Sequence, residues 1–466
     1  MEVQSKSGFV KIIGLILIIF FLGGGLFILS SKDFERNKPV VKTSLNPSWN
    51  LNGDFFIYLK DDTGIKDHKV SYEIDSKKHF LLAKMASLSE CSFVDQEVEN
   101  GICLAIEKPN ISTKDIQSLN LIVEVTDKSK WNFFSGNKTL ENIPILIDTK
   151  KPQLAVVSNS YRITQGGSAL VIFRAEDENL DKIRISNGEN EFIPQPFYKQ
   201  GYYISLLAWP KNNPTFNAKI YASDTAGNVS IASINFFAVK KEYKKTTISL
   251  TDSFIDGKIS SLVEEIGERT LASFVDKVSI FKYINEDIRS YSEKYIMQAA
   301  TNFPLEKIED FQIYAFSPLK NAAVMASFGD HRTFVYQGEV VSYSHHMGLD
   351  LASVKQAPII SSNQGEVVLD AFVGIDGNTL VLYHGLGLSS IYAHLTKSLV
   401  GIGDRVERGA IIGNTGSTGL SLGDHLHFGV LVQGHEVWIA EWMDSKWIEN
   451  NITKVIAEAK GIINNL

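Results

Sequence analysis

The chain opens with an unbroken apolar stretch at residues 12–29 (IIGLILIIFFLGGGLFIL), which contains no charged side chain. At 1.5 Å of rise per residue, about 18 residues are near the minimum for a helix that crosses a bilayer. Ile28 and Leu29 stand where a signal peptide needs small residues for cleavage. The pattern therefore predicts an uncleaved transmembrane helix at 12–31 after a short tail at 1–11. A cleaved signal peptide and a buried soluble helix are the alternatives.

Between about residues 39 and 239 the pattern changes to short alternating runs separated by Asn, Asp, Gly and Pro, which predict strands. The clearest of these runs lie at 121–125, 169–173, 202–207 and 218–222. The strand end at Asp127 is repeated at Asp224, 97 residues later, which is close to the roughly 100 residues of one immunoglobulin-type sandwich. We predict two tandem Ig-like β-sandwiches at 39–148 and 149–240. The second, with its D-x-x-G-N motif from Asp224, resembles bacterial Ig-like or fibronectin-like modules.

From Thr251 onward the apolar spacing becomes helical. The residues at that spacing are Phe254, Ile255, Ile259, Leu262, Val263 and Ile266. Asp252 or Ser253 can cap the start of this helix, and a second helical run covers about 288–300. The sequence therefore predicts a helical connector at 241–316.

Composition and charge narrow the classes of protein that fit. A chain of 466 residues is too long for one hydrophobic core and indicates several domains. Its net charge of -7 argues against nucleic acid as a partner, because phosphate binding needs a basic face. Two cysteines cannot build a Cys-rich zinc module. Cys91 and Cys103 flank a turn-rich stretch and are predicted to form a disulfide outside the cytoplasm, with two buried thiols as the alternative.

Histidines are concentrated in the last third of the chain, where eight of the ten fall between His331 and His435. His346 and Asp350 are separated by a glycine-containing turn that enters a strand, and His394 ends a strand-like run. His425 and His427 open an alternating run. Because residues two apart in a strand project from the same face, these two imidazoles are predicted to point together.

The side chains of these motifs suit a catalytic zinc site, which needs three protein ligands and an open position for water. His346, Asp350 and either His425 or His427 supply two nitrogens and one carboxylate, and the residues alone leave open which of the pair is the ligand. An unligated imidazole beside the metal can take a proton from water and give it to a leaving amine. The set predicts metal-dependent amide hydrolysis.

Over residues 318–444 the sequence resembles the lysostaphin-type, or LytM-like, zinc endopeptidases, which cut peptide bonds in bacterial peptidoglycan. The segments that carry the resemblance are ASFGDHR at 326–332, HMGLDLA at 346–352, IYAHL at 391–395, GIGDRVERGAIIG at 401–413 and GSTGLSLGDHLHFGV at 416–430. The resemblance implies an antiparallel, barrel-like β-sheet peptidase domain at 317–448. A C-terminal helix is predicted after it at 449–466, so the whole chain is predicted to be mostly β.

The resemblance also implies a role for each histidine of the motifs. His346, Asp350 and His427 would hold one zinc ion per catalytic domain. His394 and His425 would be unligated catalytic residues that position or deprotonate water and stabilise the oxyanion.

These expectations combine into a membrane-anchored zinc metalloendopeptidase that hydrolyses the peptide cross-links of peptidoglycan. Because peptidoglycan lies outside the cytoplasmic (inner) membrane, the chain is expected to pass it once, with the tail at 1–11 in the cytoplasm. The expected partners are peptidoglycan peptides as substrate, the membrane through the N-terminal helix and other cell wall enzymes, with no nucleic acid.

Two other functions and two details stay open at this point. The domain could act as a non-enzymatic scaffold or activator of other cell wall hydrolases, or the Ig-like region could be a wall-binding module. The cut bond could lie between D-alanine and a diamino acid or within a glycine-containing bridge. Because the connector directly precedes the catalytic domain, we expect residues 251–300 to restrain access to its groove.

Overall fold

The computed structural model describes residues 4–74, 77–94, 101–111 and 116–465. It is mostly β, with an N-terminal apolar helix at Gln4–Ser30. Within the described ranges, Phe9–Ser30 is the one helix that is long and apolar enough to cross a membrane. By length and composition this helix suits a membrane anchor or a signal sequence.

The first of two compact units comprises Met1–Pro152, Glu178–Asp181 and Ser223–Val229. Its first nine strands are β1 (Val40–Lys42), β2 (Ser48–Trp49), β3 (Phe55–Lys60), β4 (Ile65–Ile74), β5 (Lys77–Leu81), β6 (Ala83–Ala86), β7 (Gly101–Ile106), β8 (Ser118–Asp127) and β9 (Lys138–Ile147). Short helical turns lie at Lys32–Phe34, Leu88–Glu90 and Trp131–Phe134.

These strands form two sheets, in the orders β1-β3-β7-β6 and β2-β9-β8-β4-β5. Both sheets contribute to one apolar core, with Leu59 and Leu104 from the first and Val123 and Ile145 from the second. The alternating pattern predicted this arrangement, because every second side chain of a strand faces the same side. Cys91 and Cys103 are joined by a disulfide with their Cα atoms 6.0 Å apart, in agreement with the prediction.

The next ten strands are β10 (Gln153–Asn159), β11 (Arg162–Thr164), β12 (Ser168–Glu176), β13 (Leu180–Ser186), β14 (Glu191–Phe192), β15 (Gln195–Pro196), β16 (Tyr202–Ala208), β17 (Lys219–Asp224), β18 (Val229–Ser233) and β19 (Phe237–Val239). They form the sheets β10-β12-β16-β15, β14-β13-β17-β18 and β11-β19. The predicted strands at 121–125, 169–173, 202–207 and 218–222 all coincide with observed strands, although β17 begins at Lys219. The count of two Ig-like sandwiches stays a prediction.

The second unit comprises Gln153–Asp177, Lys182–Ala222 and Ser230–Leu466 and contains the connector. The helical segments of the connector are Asp252–Phe254, Ile255–Ile259, Ser260–Ile266, Leu271–Ser273, Lys277–Lys282, Tyr283–Ile288 and Arg289–Thr301, and two of them, Ile255–Ile259 and Tyr283–Ile288, are π-helical. The first segment is capped by Thr251, whose side chain accepts the Phe254 N–H. The prediction of Asp252 or Ser253 as the cap was wrong, because both residues lie inside the helix.

The C-terminal part of the second unit contains fourteen strands. They are β20 (Lys245–Ser249), β21 (Ala323–Ala326), β22 (Asp330–Tyr336), β23 (Glu339–His346), β24 (Leu349–Ala352), β25 (Pro358–Ile360), β26 (Gly365–Val373), β27 (Gly377–Gly385), β28 (Leu388–Ala393), β29 (Lys397–Ser398), β30 (Arg405–Val406), β31 (Ile411–Asn414), β32 (Leu426–Val432) and β33 (His435–Glu436). A helical turn lies at Gly374–Asp376, and the last helical segments are Ile439–Trp442, Ser445–Ile448, Glu449–Thr453 and Lys454–Asn465.

The main sheet of this part has the order β21-β24-β32-β28-β27-β26-β30, with β33 paired to β32. Its neighbours are antiparallel. Two smaller sheets, β20-β22-β23 and β25-β31-β29, accompany it, and β20 runs parallel to β22. The connector helix Arg289–Thr301 packs on one face of the main sheet, where Ile296 and Ala300 contact an apolar cluster that includes Ile391, Ala393 and Leu431.

Candidate active site

The first two candidate ligands are placed by a tight turn between β23 and β24. β23 ends at His346, and β24 begins at Leu349, so Asp350 is the second residue of its strand. Gly348 stands in the turn against the imidazole of His427, where a Cβ atom would lie 2.2 Å from the ring. A glycine is therefore required for the His346 turn to approach His427 this closely.

The third candidate ligand comes from the centre of the main sheet. His427 in β32 is directly opposite Asp350 in β24 and Ala393 in β28. Directly opposite residues share a face of the sheet, so the three side chains project from one surface. His346 Nε2 lies 3.0 Å from Asp350 Oδ1, and His427 Nδ1 lies 2.9 Å from the same oxygen.

These three residues fit a tetrahedral metal site. The two nitrogens are 3.2 Å apart, and all three ligand atoms lie within 4.8 Å of one another. Tetrahedral zinc with bonds of about 2.0–2.1 Å needs ligand atoms about 3.3 Å apart. His346 Nδ1 donates to the Ser327 carbonyl at 3.0 Å, which leaves Nε2 directed at the site.

The charge state of this group also suits a cation. Burial opposes ionisation of Asp350, but the polar contacts of its carboxyl with the imidazoles of His346, His425 and His427 outweigh it and hold the pKa of this carboxyl far below its usual range. Burial lowers the pKa of His346, so its imidazole is neutral, which is the form that binds metals. The site therefore offers an ionised carboxylate with at least one neutral imidazole.

His394 follows β28 directly and is held by two hydrogen bonds. Its backbone N–H donates to the Asp376 carbonyl at 2.8 Å, and its Nδ1 donates to the Thr418 carbonyl at 2.9 Å. Burial, with the charges of His427 and His425, lowers the pKa of His394 to about 3. The residue therefore presents a neutral ring with Nε2 available as a hydrogen-bond acceptor.

His425 immediately precedes β32 and lies beside both His394 and the ligand residue Asp350. Its ring centroid is 4.8 Å from that of His394, and its Nε2 is 3.6 Å from Asp350 Oδ1. Its Nδ1 donates to the Gly423 carbonyl at 2.8 Å. Burial lowers the pKa of His425, but the bonds to Asp350 and the Gly423 carbonyl outweigh it and raise the pKa. The structure thus brings together all five residues singled out from the sequence.

Two anchors of His394 were not found from the sequence, because Asp376 and Thr418 act through their backbone carbonyls. A backbone carbonyl leaves no signal in the residue type. Arg332 lies in the segment ASFGDHR, which gives no sign of its role, and only the pairing of β22 with β23 shows its relation to His346.

The chain is similar to known proteins over part of its length. Residues 344–438 match the family described as Peptidase family M23. The peptidoglycan DD-endopeptidase ShyA of Vibrio cholerae is 39% identical over 92 residues, which are 20% of this chain and 21% of that protein. A protein of Haemophilus influenzae described as an uncharacterized metalloprotease is 33% identical over 126 residues, 27% of this chain and 26% of that protein.

Among solved structures, the catalytic domain of lysostaphin from Staphylococcus simulans is 28% identical and covers 26% of this chain and 92% of that chain, with a TM-score of 0.23. The matched part spans about a quarter or less of the length of the two curated relatives. The resemblance to LytM-like peptidases is confirmed for this region: residues 344–438 of the chain form a LytM-type domain of peptidase family M23.

Proposed function

We propose that this protein is a zinc metalloendopeptidase that hydrolyses the peptide cross-links of bacterial peptidoglycan. The observation that carries the proposal is the convergence of His346, Asp350 and His427 beside two further imidazoles, His394 and His425. The M23 family and its peptidoglycan endopeptidase relatives support a cell wall hydrolase. The N-terminal helix would hold the protein in the cytoplasmic membrane, with the catalytic domain outside the cytoplasm.

In this proposal His346, Asp350 and His427 hold the metal. When bound there, zinc supplies a Lewis acid that polarises the scissile carbonyl and acidifies water. His394 accepts a hydrogen bond from the attacking water at Nε2, because its Nδ1 proton is committed to Thr418. A neutral ring that only accepts at Nε2 does not stabilise an oxyanion, so that part of the expected role belongs to His425.

His425 is the proton carrier. Its Nδ1 proton is held by the Gly423 carbonyl, which directs Nε2 towards Asp350 and the ligand set. This Nε2 can take the proton of the attacking water and then donate it to the leaving amine. The raised pKa of His425 favours the protonated intermediate state of this transfer.

The direct test is digestion of purified cross-linked peptidoglycan by the full-length, zinc-loaded protein, with products identified by mass. We expect release of peptide-bearing fragments, and loss of release with a chelator or with His425→Ala. His425→Ala should keep its zinc, whereas His427→Ala should lose it. If zinc-loaded protein releases nothing from several wall chemistries, the scaffold or activator function replaces the enzyme.

A further inference from the structure

The hairpin of β22 and β23 extends the metal site along one face of its sheet. Its register places Asp330 opposite His346, and Arg332 opposite Ser344. Opposite residues of antiparallel strands share a face, as does every second residue along a strand. Arg332 and Ser344 therefore lie on the face that carries His346, about 6.7 Å away along the strand.

Ser344 has a buried hydroxyl with unused hydrogen-bonding capacity. The residue is only 8% exposed, and its Oγ has no hydrogen-bond partner within residues 4–74, 77–94, 101–111 and 116–465. Such a group carries an energetic cost when it stays unsatisfied, because burial has removed its hydrogen bonds to water. A ligand that accepts a hydrogen bond at this position would remove that cost.

Arg332 is the cation nearest to this hydroxyl in the strand register. Its side chain is 22% exposed, and its Nε lies 3.6 Å from Asp330 Oδ2, which is longer than a hydrogen bond. Asp330 is itself bound by the Thr246 hydroxyl at 2.8 Å. Asp330 thus orients the guanidinium from one side and leaves its terminal N–H donors for a ligand.

A second guanidinium, that of Arg289 in the connector, lies within electrostatic reach of Arg332. Burial lowers the pKa of Arg289, and the charge of Arg332 lowers it further. Three carboxylates act on Arg289 as well: Glu293, Asp376 and Glu436. Arg289 also donates from Nε and one terminal nitrogen to the two oxygens of Asn285, which hold its guanidinium against the connector. Within the described residues the guanidinium of Arg332 has no hydrogen bond of this kind, so it is open to an anionic group.

We propose that Arg332 and Ser344 form a subsite that binds a free carboxylate of the substrate beside the scissile amide. This inference rests on the proposed function. A guanidinium holds a carboxylate by two parallel N–H···O bonds, and the Ser344 hydroxyl adds a third donor. A bound carboxylate would account for two observations together. It would accept a hydrogen bond from the unpaired Ser344 hydroxyl, and it would pair with the terminal N–H groups of Arg332.

The subsite distinguishes the two candidate substrates, a bond between D-alanine and a diamino acid and a bond within a glycine-containing bridge. When the residue on the amine side of the cut keeps a free α-carboxylate, that carboxylate is attached to the carbon that bears the scissile nitrogen. When Arg332 and Ser344 bind that carboxylate, two strand residues away from His346, the scissile amide lies at the metal ligands. The interior of a glycine bridge carries no such group, so the cut lies between D-alanine and a diamino acid with a free α-carboxylate.

The test compares synthetic cross-linked peptides with the full-length, zinc-loaded protein. Two peptides differ only in a carboxylate or a carboxamide beside the scissile bond, and a third has a pentaglycine bridge. We expect kcat/KM to be at least tenfold higher for the carboxylate peptide. Arg332→Gln should bring the carboxylate peptide to the level of the carboxamide peptide without changing the latter, and Arg332→Lys should restore part of the difference.

Ser344→Ala should lower kcat/KM for the carboxylate peptide alone, with zinc content unchanged. Arg405→Gln, in the exposed end of β30, removes an equal charge elsewhere and should change nothing. Equal wild-type rates on the carboxylate and carboxamide peptides, an equal loss on both in Arg332→Gln, or cleavage of the pentaglycine peptide alone would overturn the subsite. If no peptide is cut, the proposed function fails, and calorimetric titration of the carboxylate and carboxamide peptides still decides the subsite.

Discussion

At the scale of single residues, the conformation of His394 is the feature that the sequence could not supply. The alternating pattern placed it at the end of a strand, and the structure places it one residue beyond β28 with φ of 63°. Left-handed backbone costs a non-glycine residue about 1–2 kcal/mol. The conformation lets the backbone N–H reach Asp376 while the ring reaches Thr418. The two hydrogen bonds of His394 thus accompany a backbone conformation that residues with a side chain rarely adopt.

The glycines before His425 and His427 differ in the space that they leave for a side chain, and this difference gives a first prediction. Gly419 has φ of +65°, and a Cβ atom there would lie 2.3 Å from the Gly377 nitrogen, whereas Gly423 has open space. We expect Gly419→Ala to destabilise the second unit by about 2–3 kcal/mol and to lower hydrolysis at least tenfold.

Gly423→Ala is the matched control and should leave the melting temperature and activity close to those of the wild type. Thermal unfolding and peptide hydrolysis measure both effects. Equal behaviour of the two variants would show that the loop tolerates a side chain at Gly419.

Glu441 gives a second prediction, on pH. It is 4% exposed and accepts the Ser168 N–H at 2.8 Å, and burial raises its pKa to about 8. Because the folded pKa exceeds the unfolded value, the stability it contributes is complete below about pH 4.5 and is lost as the pH rises through 8. Glu441→Gln should therefore gain on the order of 3 kcal/mol relative to the wild type between pH 5 and pH 9.

Thermal unfolding of both proteins across this pH range measures the difference. The exposed residue Glu449, paired with Lys454 at 3.0 Å, supplies the control Glu449→Gln, which should show no such trend. A constant difference between Glu441→Gln and the wild type at all pH values would contradict the prediction.

At the scale of elements, period and turn residues predicted the strands and connector helices, and they placed His346 and Asp350 on either side of a turn. They did not predict that β20 pairs with β22 across 81 intervening residues, since long-range pairing leaves no local pattern. The Thr251 cap was missed by one position for a related reason, because the choice among neighbouring polar residues depends on the exact start of the helix. The sequence likewise could not predict that Arg332 lies opposite Ser344, because this follows from the register of the β22–β23 hairpin.

The connector gives a third prediction. Its helix Arg289–Thr301 packs on the apolar cluster that includes Ala393, and Ala393 is directly opposite His427, so the helix lies on the face that carries the ligands. We propose that this helix restrains entry of cross-linked peptidoglycan. Ile296→Ala removes apolar contact and should cost about 2–4 kcal/mol, yet it should raise hydrolysis of polymeric peptidoglycan at least twofold.

Ile456→Ala in the C-terminal helix deletes the same atoms from another buried position. It should lower the stability of the protein without raising its hydrolysis of peptidoglycan. Digestion of peptidoglycan at a temperature well below both unfolding transitions makes the comparison. A fall in activity for both variants would mean that the connector supports the domain without restraining it.

At the scale of the whole molecule, the resemblance correctly located the M23 domain. The division into several domains stays a prediction from length and composition, and the structure divides into two compact units. The disulfide closes a loop with a sequence separation of 12, and such loops typically contribute about 3 kcal/mol. A disulfide in this position agrees with domains that lie outside the cytoplasm.

The apolar helix gives the fourth prediction. If Phe9–Ser30 anchors the protein, full-length protein should stay in the membrane fraction after alkaline carbonate washing, and mass analysis should find the helix still attached. Deletion of residues 4–30 should release the rest. Recovery of a soluble protein that begins after Ser30 would identify the helix as a cleaved signal.

The parallel pairing of β20 with β22 has a mechanical consequence. β20 is the last strand before the helices of the connector, and it pairs at five positions with the strand that leads into the β23 hairpin and His346. A pull on the chain ahead of Lys245, with the M23 domain held in place, acts along the axis of β20. Such a load shears all five positions together and does not open them one by one. The chain ahead of Lys245 therefore joins the M23 domain through a pairing that resists tension, and the connector helices that follow β20 do not carry the load.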